Sequence, residues 1–425
     1  MQVIKLPQTW PLYAVALSIF LTPYIESFIL WQFVVPIVVL LNTRRIWSGI
    51  KKNRHIFYFI LYILVHSIIT FFYYSLATDI NLREFTLRVG VFFSSFLLYP
   101  LILSYNYSWS FTKEDLNKFF GFIVFVTTAV TVYQIIAQQF DFLPVYWVQT
   151  YRNYAFFSQV TSCFGEPRFY SMFLIGCLYV VLFVRVEKNN AFLLFLMLSC
   201  LFFTVALGGY IACIIMITFY LVRGVVIPRR IDKKIVMFLA GCILLVGIFG
   251  YRAVEVNFNR IGNSYKSIEE IPLSVLLTEA RWLNLHESQM NASNLLLPGG
   301  SAMVSFIGEL SYFSYTLRKH PLFGFGITSK VREMGLNAFV EIIFRWGLVG
   351  FVLFLFMFYH KRNYSLKRNV QFSLFFVLFC ALDGAISKPL FWLIMGLIGL
   401  FEDAYNRQVV KSYRRDGFQN CVSQS

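Results

Sequence analysis

Three short stretches hold the residues whose types and spacing could do chemistry. The first is Ser162-Cys163-Phe164-Gly165-Glu166-Pro167-Arg168-Phe169-Tyr170-Ser171. Pro167 fits the first turn of a helix, where its missing N–H leaves nothing unpaired, and Glu166 then lies against the positive helix end. Arg168, with Arg152 upstream, offers a planar fork that binds phosphate oxygens bidentately and keeps its proton. The second is Arg318-Lys319-His320-Pro321-Leu322-Phe323-Gly324-Phe325-Gly326. Its basic residues lead into a Pro and Gly turn expected to expose backbone N–H groups, where a phosphate could be cradled. Arg318 and Lys319 equally suit the C-terminal end of a helix dipole. The third opens with Asn337, and in it Glu341 and Arg345 stand four apart on one helix face and can neutralise each other.

What must position these residues follows from composition. The 425 residues are 58% hydrophobic and 14% charged, with a mean hydropathy of +0.65. A soluble domain of this size is far more polar, so lipid is the main solvent. Lipid offers the backbone no hydrogen bonds, and the apolar runs are unbroken rather than alternating, so the spans are helices and not barrel strands. The expected fold is all-α and polytopic, with about twelve transmembrane helices in a single membrane domain over 1–425. Trp10 to Leu41, interrupted by Pro23, Glu26 and Pro36, holds two short helices or one bent helix. The remaining spans fall near 56–76, 85–105, 119–140, 169–186, 191–207, 210–226, 235–251, 336–359, 370–386 and 389–404. The first apolar stretch lacks a small-residue cleavage site, so the N-terminus reads as a retained anchor.

The net charge of +16 raises the question of nucleic acid, but most cations cluster in loops that share one side. Arg44, Arg45, Lys51, Lys52 and Arg54 form one group, Arg223, Arg229, Arg230, Lys233 and Lys234 a second, and Lys361, Arg362, Lys367 and Arg368 a third. The positive-inside rule makes that side cytoplasmic, along with both termini, and no nucleic-acid partner is expected. A bacterial inner membrane is the expected location. Two long segments then lie outside: a first loop over 141–168 and a second over 252–335. The second carries Arg252, Arg260, Arg281, His286, Arg318, Lys319 and His320 among several acids. Phe306, Leu310, Phe313 and Leu317 suggest a helix on the membrane surface within it. Asp383 and Lys388 flank the outer turn between the last two spans and are expected to pair with each other or with headgroups. Of seven Cys, only Cys163 falls in a loop outside the cytoplasm, so no disulfide framework is expected. There is no P-loop, zinc-binding His-Glu-x-x-His helix or Gly-x-Ser-x-Gly elbow, and neither a cofactor nor a metal is indicated.

At these residues the chain resembles the O-antigen polymerase (Wzy-type) family, which is related to the O-antigen ligases and to the GT-C type lipid-dependent membrane glycosyltransferases. The resemblance rests on Gly165-Glu166-Pro167 leading into a span, on the Pro321 to Gly326 turn, and on Asn337 followed by Gly347-Leu348-Val349-Gly350. With the topology it covers nearly the whole chain. Ligases resemble one another in a His before that Asn, where this chain has Leu336, which favours a polymerase. Family members often carry an Arg well upstream of the turn, and Arg281 is the nearest candidate here.

The resemblance implies transfer of a growing glycan from undecaprenyl diphosphate to a sugar hydroxyl of a new lipid-linked repeat unit, at the outer membrane face. Membrane lipid and a chain-length regulator protein would be its other partners. A diphosphate leaving group develops charge, and without metal or nucleotide the protein must supply the positive charge. Arg152, Arg168, Arg281 and Arg318 are candidates for that role. Glu166, Glu309 or His320 could act as general base. Arg260, Gly324, Gly326, Asn337 and Glu341 complete the expected substrate-binding set. A ligase, or a flippase or transporter of lipid-linked oligosaccharide, remains the alternative.

Overall fold

The fold is described from a computed structural model. The structure describes residues 9–21, 30–75, 82–107, 111–138, 140, 153–154, 157–158, 160–164, 166–184, 190–204, 206–226, 313, 316–326, 337–359, 366–382, 386 and 388–404. The helices are α1 (Trp10–Leu21), α2 (Trp31–Leu41), α3 (Thr43–Lys52), α4 (Arg54–Ser75), α5 (Leu82–Phe96), α6 (Leu98–Ser104), α7 (Lys113–Ala137), α8 (Pro167–Tyr179), α9 (Asn190–Thr204) and α10 (Leu207–Val226). Three more follow late in the chain: α11 (Ala338–Tyr359), α12 (Leu366–Leu382) and α13 over 389–404. Asn153–Tyr154 (β1) and Phe157–Ser158 (β2) form a short antiparallel pair.

Among the described residues five helices are long and apolar enough to cross a membrane: Arg54–Phe72, Phe85–Tyr107, Lys113–Ala137, Pro167–Val184 and Ala338–Tyr359. A sixth arises if α2 and α3, bent by 74°, count as one broken span. Large apolar side chains face outward. Leu40, Phe72, Phe125 and Ile214 are 63–69% exposed, a cost in water that vanishes in lipid. These are the features of a helical membrane protein. The Trp10 to Leu41 stretch holds two separate helices rather than one bent helix. The expected span at 235–251 lies outside the described residues.

The chain divides into two compact units. The first takes 1–52, 94–244 and 387–425. In it α7 starts at a capping box: Asp115 N–H donates to Thr112 Oγ1 at 3.1 Å and Thr112 N–H returns a bond to Asp115 Oδ2 at 3.0 Å. This satisfies first-turn amides that a helix cannot pair internally. α3 presses Gly49 against the Pro100 carbonyl of α6, and Lys52 lies 3.9 Å over the Tyr107 ring. α8 and α13 pack side by side. Lys388 meets Phe169 at one end, Gly176 meets Ile394 midway, and Tyr179 donates to Glu402 Oε1 at 2.7 Å further along. Both residue series ascend together, so the two helices run parallel with their N-termini level.

The second unit takes 53–93 and 245–386. Its core is aromatic. Trp346 of α11 packs edge-on against Phe59 of α4 and Phe92 of α5, and Phe354 and Phe358 of α11 meet Phe376 of α12. The expected surface helix is seen as helix at Phe313 and over 316–319, and its other residues lie outside the described set.

Candidate functional site

In the second unit, α11 is broken at Gly347, whose backbone sits at φ 65°, ψ −168°. A break of this kind removes the bonds that would run from the carbonyls of Phe344, Arg345 and Trp346 to the N–H groups four residues on. Each group finds a substitute. Phe325 N–H donates to Phe344 O at 2.8 Å and Gly326 N–H to Arg345 O at 2.7 Å, while Leu348 N–H donates to Pro321 O at 2.9 Å and Val349 N–H to Leu322 O at 3.1 Å. Tyr62 OH donates to Trp346 O at 2.6 Å, and the Gly350 backbone N–H stands beside that hydroxyl. The Pro321–Gly326 turn is thus spliced into the break. Unpaired backbone groups in an apolar medium cost several kcal/mol each, which is why the exchange is complete.

The splice needs glycine on both sides. A β-carbon at Gly324 would stand 2.5 Å from Phe344 O and 2.6 Å from Gly347 N, and one at Gly347 would overlap the Leu322 carbonyl. Both residues also have φ of 65°, which non-glycine residues rarely adopt.

The turn was expected to expose its amides to a phosphate. Three of its amides are instead spent within the protein: Gly324 N–H goes to His320 O at 2.9 Å and those of Phe325 and Gly326 go to α11. The N–H groups of Gly324 and Gly326 therefore serve the joint. His320 is half-buried, its ring edge-on to Phe325 at 4.7 Å. Arg318 and Lys319 are exposed.

Asn337 caps α11, its Oδ1 accepting from Val340 N–H at 3.0 Å. One turn on, Arg345 Nη2 lies 2.9 Å from Glu341 Oε1, with side chains 15% and 9% exposed. The expected neutralising pair is present and nearly dry. His66 of α4, also buried, stacks on Tyr62 and faces the backbone of Phe323, with neither ring nitrogen in hydrogen-bond geometry.

In the first unit, the approach to Glu166 is held by a buried side chain that the sequence does not announce. Gln134 of α7 accepts from Thr161 N–H at 3.1 Å and Ser162 N–H at 2.8 Å, and donates to Ser162 O at 3.1 Å. Ser162 Oγ donates to Thr127 O at 2.6 Å, and Ser162 itself has a positive φ of 49°. Tyr170 OH pairs with Thr131 Oγ1 at 2.7 Å. One face of α7, through Thr127, Thr131 and Gln134, thus pins the segment and the first turn of α8.

Pro167 occupies the first turn of α8 as expected, and Glu166 is its exposed N-cap, making no side-chain cap bond. Arg168 is half-buried, its carbonyl accepting from Ser171 Oγ at 2.8 Å. Lys388, at the start of α13, holds its Nζ 3.4 Å over the Phe169 ring. Asp383, its expected partner, lies outside the described residues.

No protein-family model and no curated protein matches the chain.

Arg152, Arg260 and Arg281 lie outside the described residues, as do Gly165 and Glu309. Of the expected set, Asn337, Glu341, Arg318, His320, Gly324 and Gly326 gather in the second unit around the break in α11, and Glu166 and Arg168 gather in the first. Sequence reasoning missed Gln134, His66, Lys388 as a partner of α8, and the break at Gly347. A Gln and a His inside apolar helices were the available signals.

Proposed function

We propose that the chain is a lipid-dependent glycosyltransferase of the O-antigen polymerase type, joining undecaprenyl-diphosphate-linked repeat units at the outer face of a bacterial inner membrane. The observation that carries this reading is Lys388 lying over the ring of Phe169, the residue after Arg168, at the level N-termini of the parallel helices α8 and α13. A cation at a positive helix end is unfavourable by about 0.3–1 kcal/mol, whereas an anion there is favoured. A cation at each of these two helix ends suits an anionic ligand, and a diphosphate leaving group is one that needs fixed positive charge as its bond to the sugar breaks. Glu166, exposed one residue before α8, is the candidate base within reach of that charge. The proposed topology has about twelve spans, both termini cytoplasmic, and loops 141–168 and 252–335 outside. A regulator of chain length is the proposed protein partner.

One observation favours a second reading. A broken helix inside the membrane is a mark of transporters, where unwound backbone lines the transport path, and α11 is broken at Gly347. Deleting the gene and resolving surface glycan on a gel separates the two. Loss of a polymerase leaves single repeat units on the lipid core, loss of a ligase leaves none transferred, and loss of a flippase leaves none exported. Cysteine labelling at position 281 tests the topology: modification from the cytoplasm alone would refute it.

A further inference from the structure

We propose that the outward face of α3, made by Arg44, Trp47, Ser48 and Lys51, is a docking surface for anionic phospholipid headgroups. This surface is independent of the reaction the chain performs.

α3 is a fixed element, because Asn42 joins it to α2. Asn42 N–H donates to Val38 O and Val39 O at 3.1 and 3.2 Å, and Asn42 Nδ2 donates to Val38 O at 2.8 Å. The Asn42 carbonyl then accepts from Ile46 N–H at 3.0 Å, which starts α3. One residue thus pairs backbone groups on both sides of the 74° bend. Beyond it Ile46, Gly49 and Ile50 are buried, with Gly49 against Pro100 of α6.

At about 100° per residue, the cations of α3 fall into two sets on its circumference. Arg45 and Lys52 flank the buried face and are held by rings: Arg45 lies 5.2 Å from the centre of the Tyr105 ring, and Lys52 lies 3.9 Å from that of Tyr107. Arg44 and Lys51 lie opposite the buried face and are exposed. Trp47 stands between them on that face, 50% exposed, with Lys51 Nζ 5.4 Å from its ring centre. The flanking pair fastens the helix, and the outward pair is open to a ligand.

Two cations about 10 Å apart along a helix, with an indole between them, suit a layer of phosphates. Indole is favoured where an apolar ring meets a wet, charged layer, and the Arg fork fits phosphate oxygens. What precedes the face favours a lipid over an acidic protein. Phe33, Ile37, Leu40 and Leu41 of α2 form an exposed apolar stripe at helical spacing that ends shortly before Arg44. Apolar side chains running into cations follow the order of polarity in an anionic phospholipid, whereas a soluble acidic partner leaves the stripe uncovered.

The test uses the full chain in phosphatidylcholine nanodiscs that carry a minor share of phosphatidylglycerol with a diazirine beside its headgroup. After irradiation, adducts are mapped by mass spectrometry. Adducts within 44–51 are expected, at least about fivefold above those from the matching phosphatidylcholine probe. Arg44→Gln and Lys51→Gln should each lower them about fivefold, and Trp47→Ala should lower them too. Lys52→Gln removes the same charge from the flank facing Tyr107 and should leave them within about twofold. Equal labelling by the two probes, or adducts only elsewhere, would overturn the proposal. So would equal losses on Lys51→Gln and Lys52→Gln, which would reduce the face to unspecific charge. Displacement of the probe by equimolar soluble polyglutamate would assign the face to an acidic protein and overturn the proposal as well. The two-probe comparison on the parent chain decides the matter even where a variant does not fold.

Discussion

The two units hold their irregular segments in opposite ways. In the first, a side chain does the holding: Gln134 reaches from α7 and occupies the amides of Thr161 and Ser162. In the second, backbone holds backbone, and the Pro321–Gly326 turn trades hydrogen bonds with the broken α11. A side-chain clamp can be removed by one substitution that leaves the fold in place. A backbone splice has no side chain to remove, and its weak point is the geometry only glycine accepts. The first design suits a segment that must be set accurately, and the second suits a helix break whose freed backbone groups must be paired.

The difference is broken most severely at Gly347. Gly347→Val places a branched side chain on the Leu322 carbonyl at a positive φ, and a loss of about 5 kcal/mol or more is expected, in the range reserved for structural failure. Yield and thermal unfolding of the detergent-purified protein would show it. Glu341→Gln alone leaves Arg345 dry and without its carboxylate, costing about 3–5 kcal/mol, whereas Glu341→Leu with Arg345→Met should be close to neutral. A double-mutant cycle of unfolding measurements checks the contrast. Gln134→Leu leaves two buried amides without their acceptor, and about 1–3 kcal/mol is expected per unsatisfied group. Hydrogen exchange should rise at 161–162 and stay unchanged at 325–326. The smallest effect is at the cap of α7, where Thr112→Ala should cost about 1 kcal/mol, seen as a small drop in unfolding temperature.

How much of this was legible in the sequence depends on the range of the interaction. The helices followed from apolar runs, and Pro167 in the first turn of α8 and the Glu341–Arg345 pair followed from spacing, because each is settled within a few residues. The break in α11 did not. Gly347 within an apolar run reads as a small packing residue, and only the partners of Phe344 O and Arg345 O, about twenty residues upstream, reveal that the helix is interrupted. The same interruption bears on why Gly324 and Gly326 looked like phosphate-binding positions: their N–H groups are taken by carbonyls of the protein, that of Gly324 by His320 within the turn and that of Gly326 by Arg345 of α11. Gln134 and Lys388 were unreadable for a similar reason, since neither the Ser162 backbone nor the Phe169 ring lies near them in sequence.

Glycosyl transfer can be measured directly. Purified protein incubated with undecaprenyl-diphosphate-linked repeat units should convert them to a ladder of longer glycans on a gel. Arg168→Ala should slow that conversion about a hundredfold or more at unchanged protein level, as loss of a charge partner of the leaving group would. Arg168→Lys should recover little, lacking the bidentate fork. Repeat units left unjoined by the folded parent protein, or a ladder of normal length and rate from Arg168→Ala, would contradict the account.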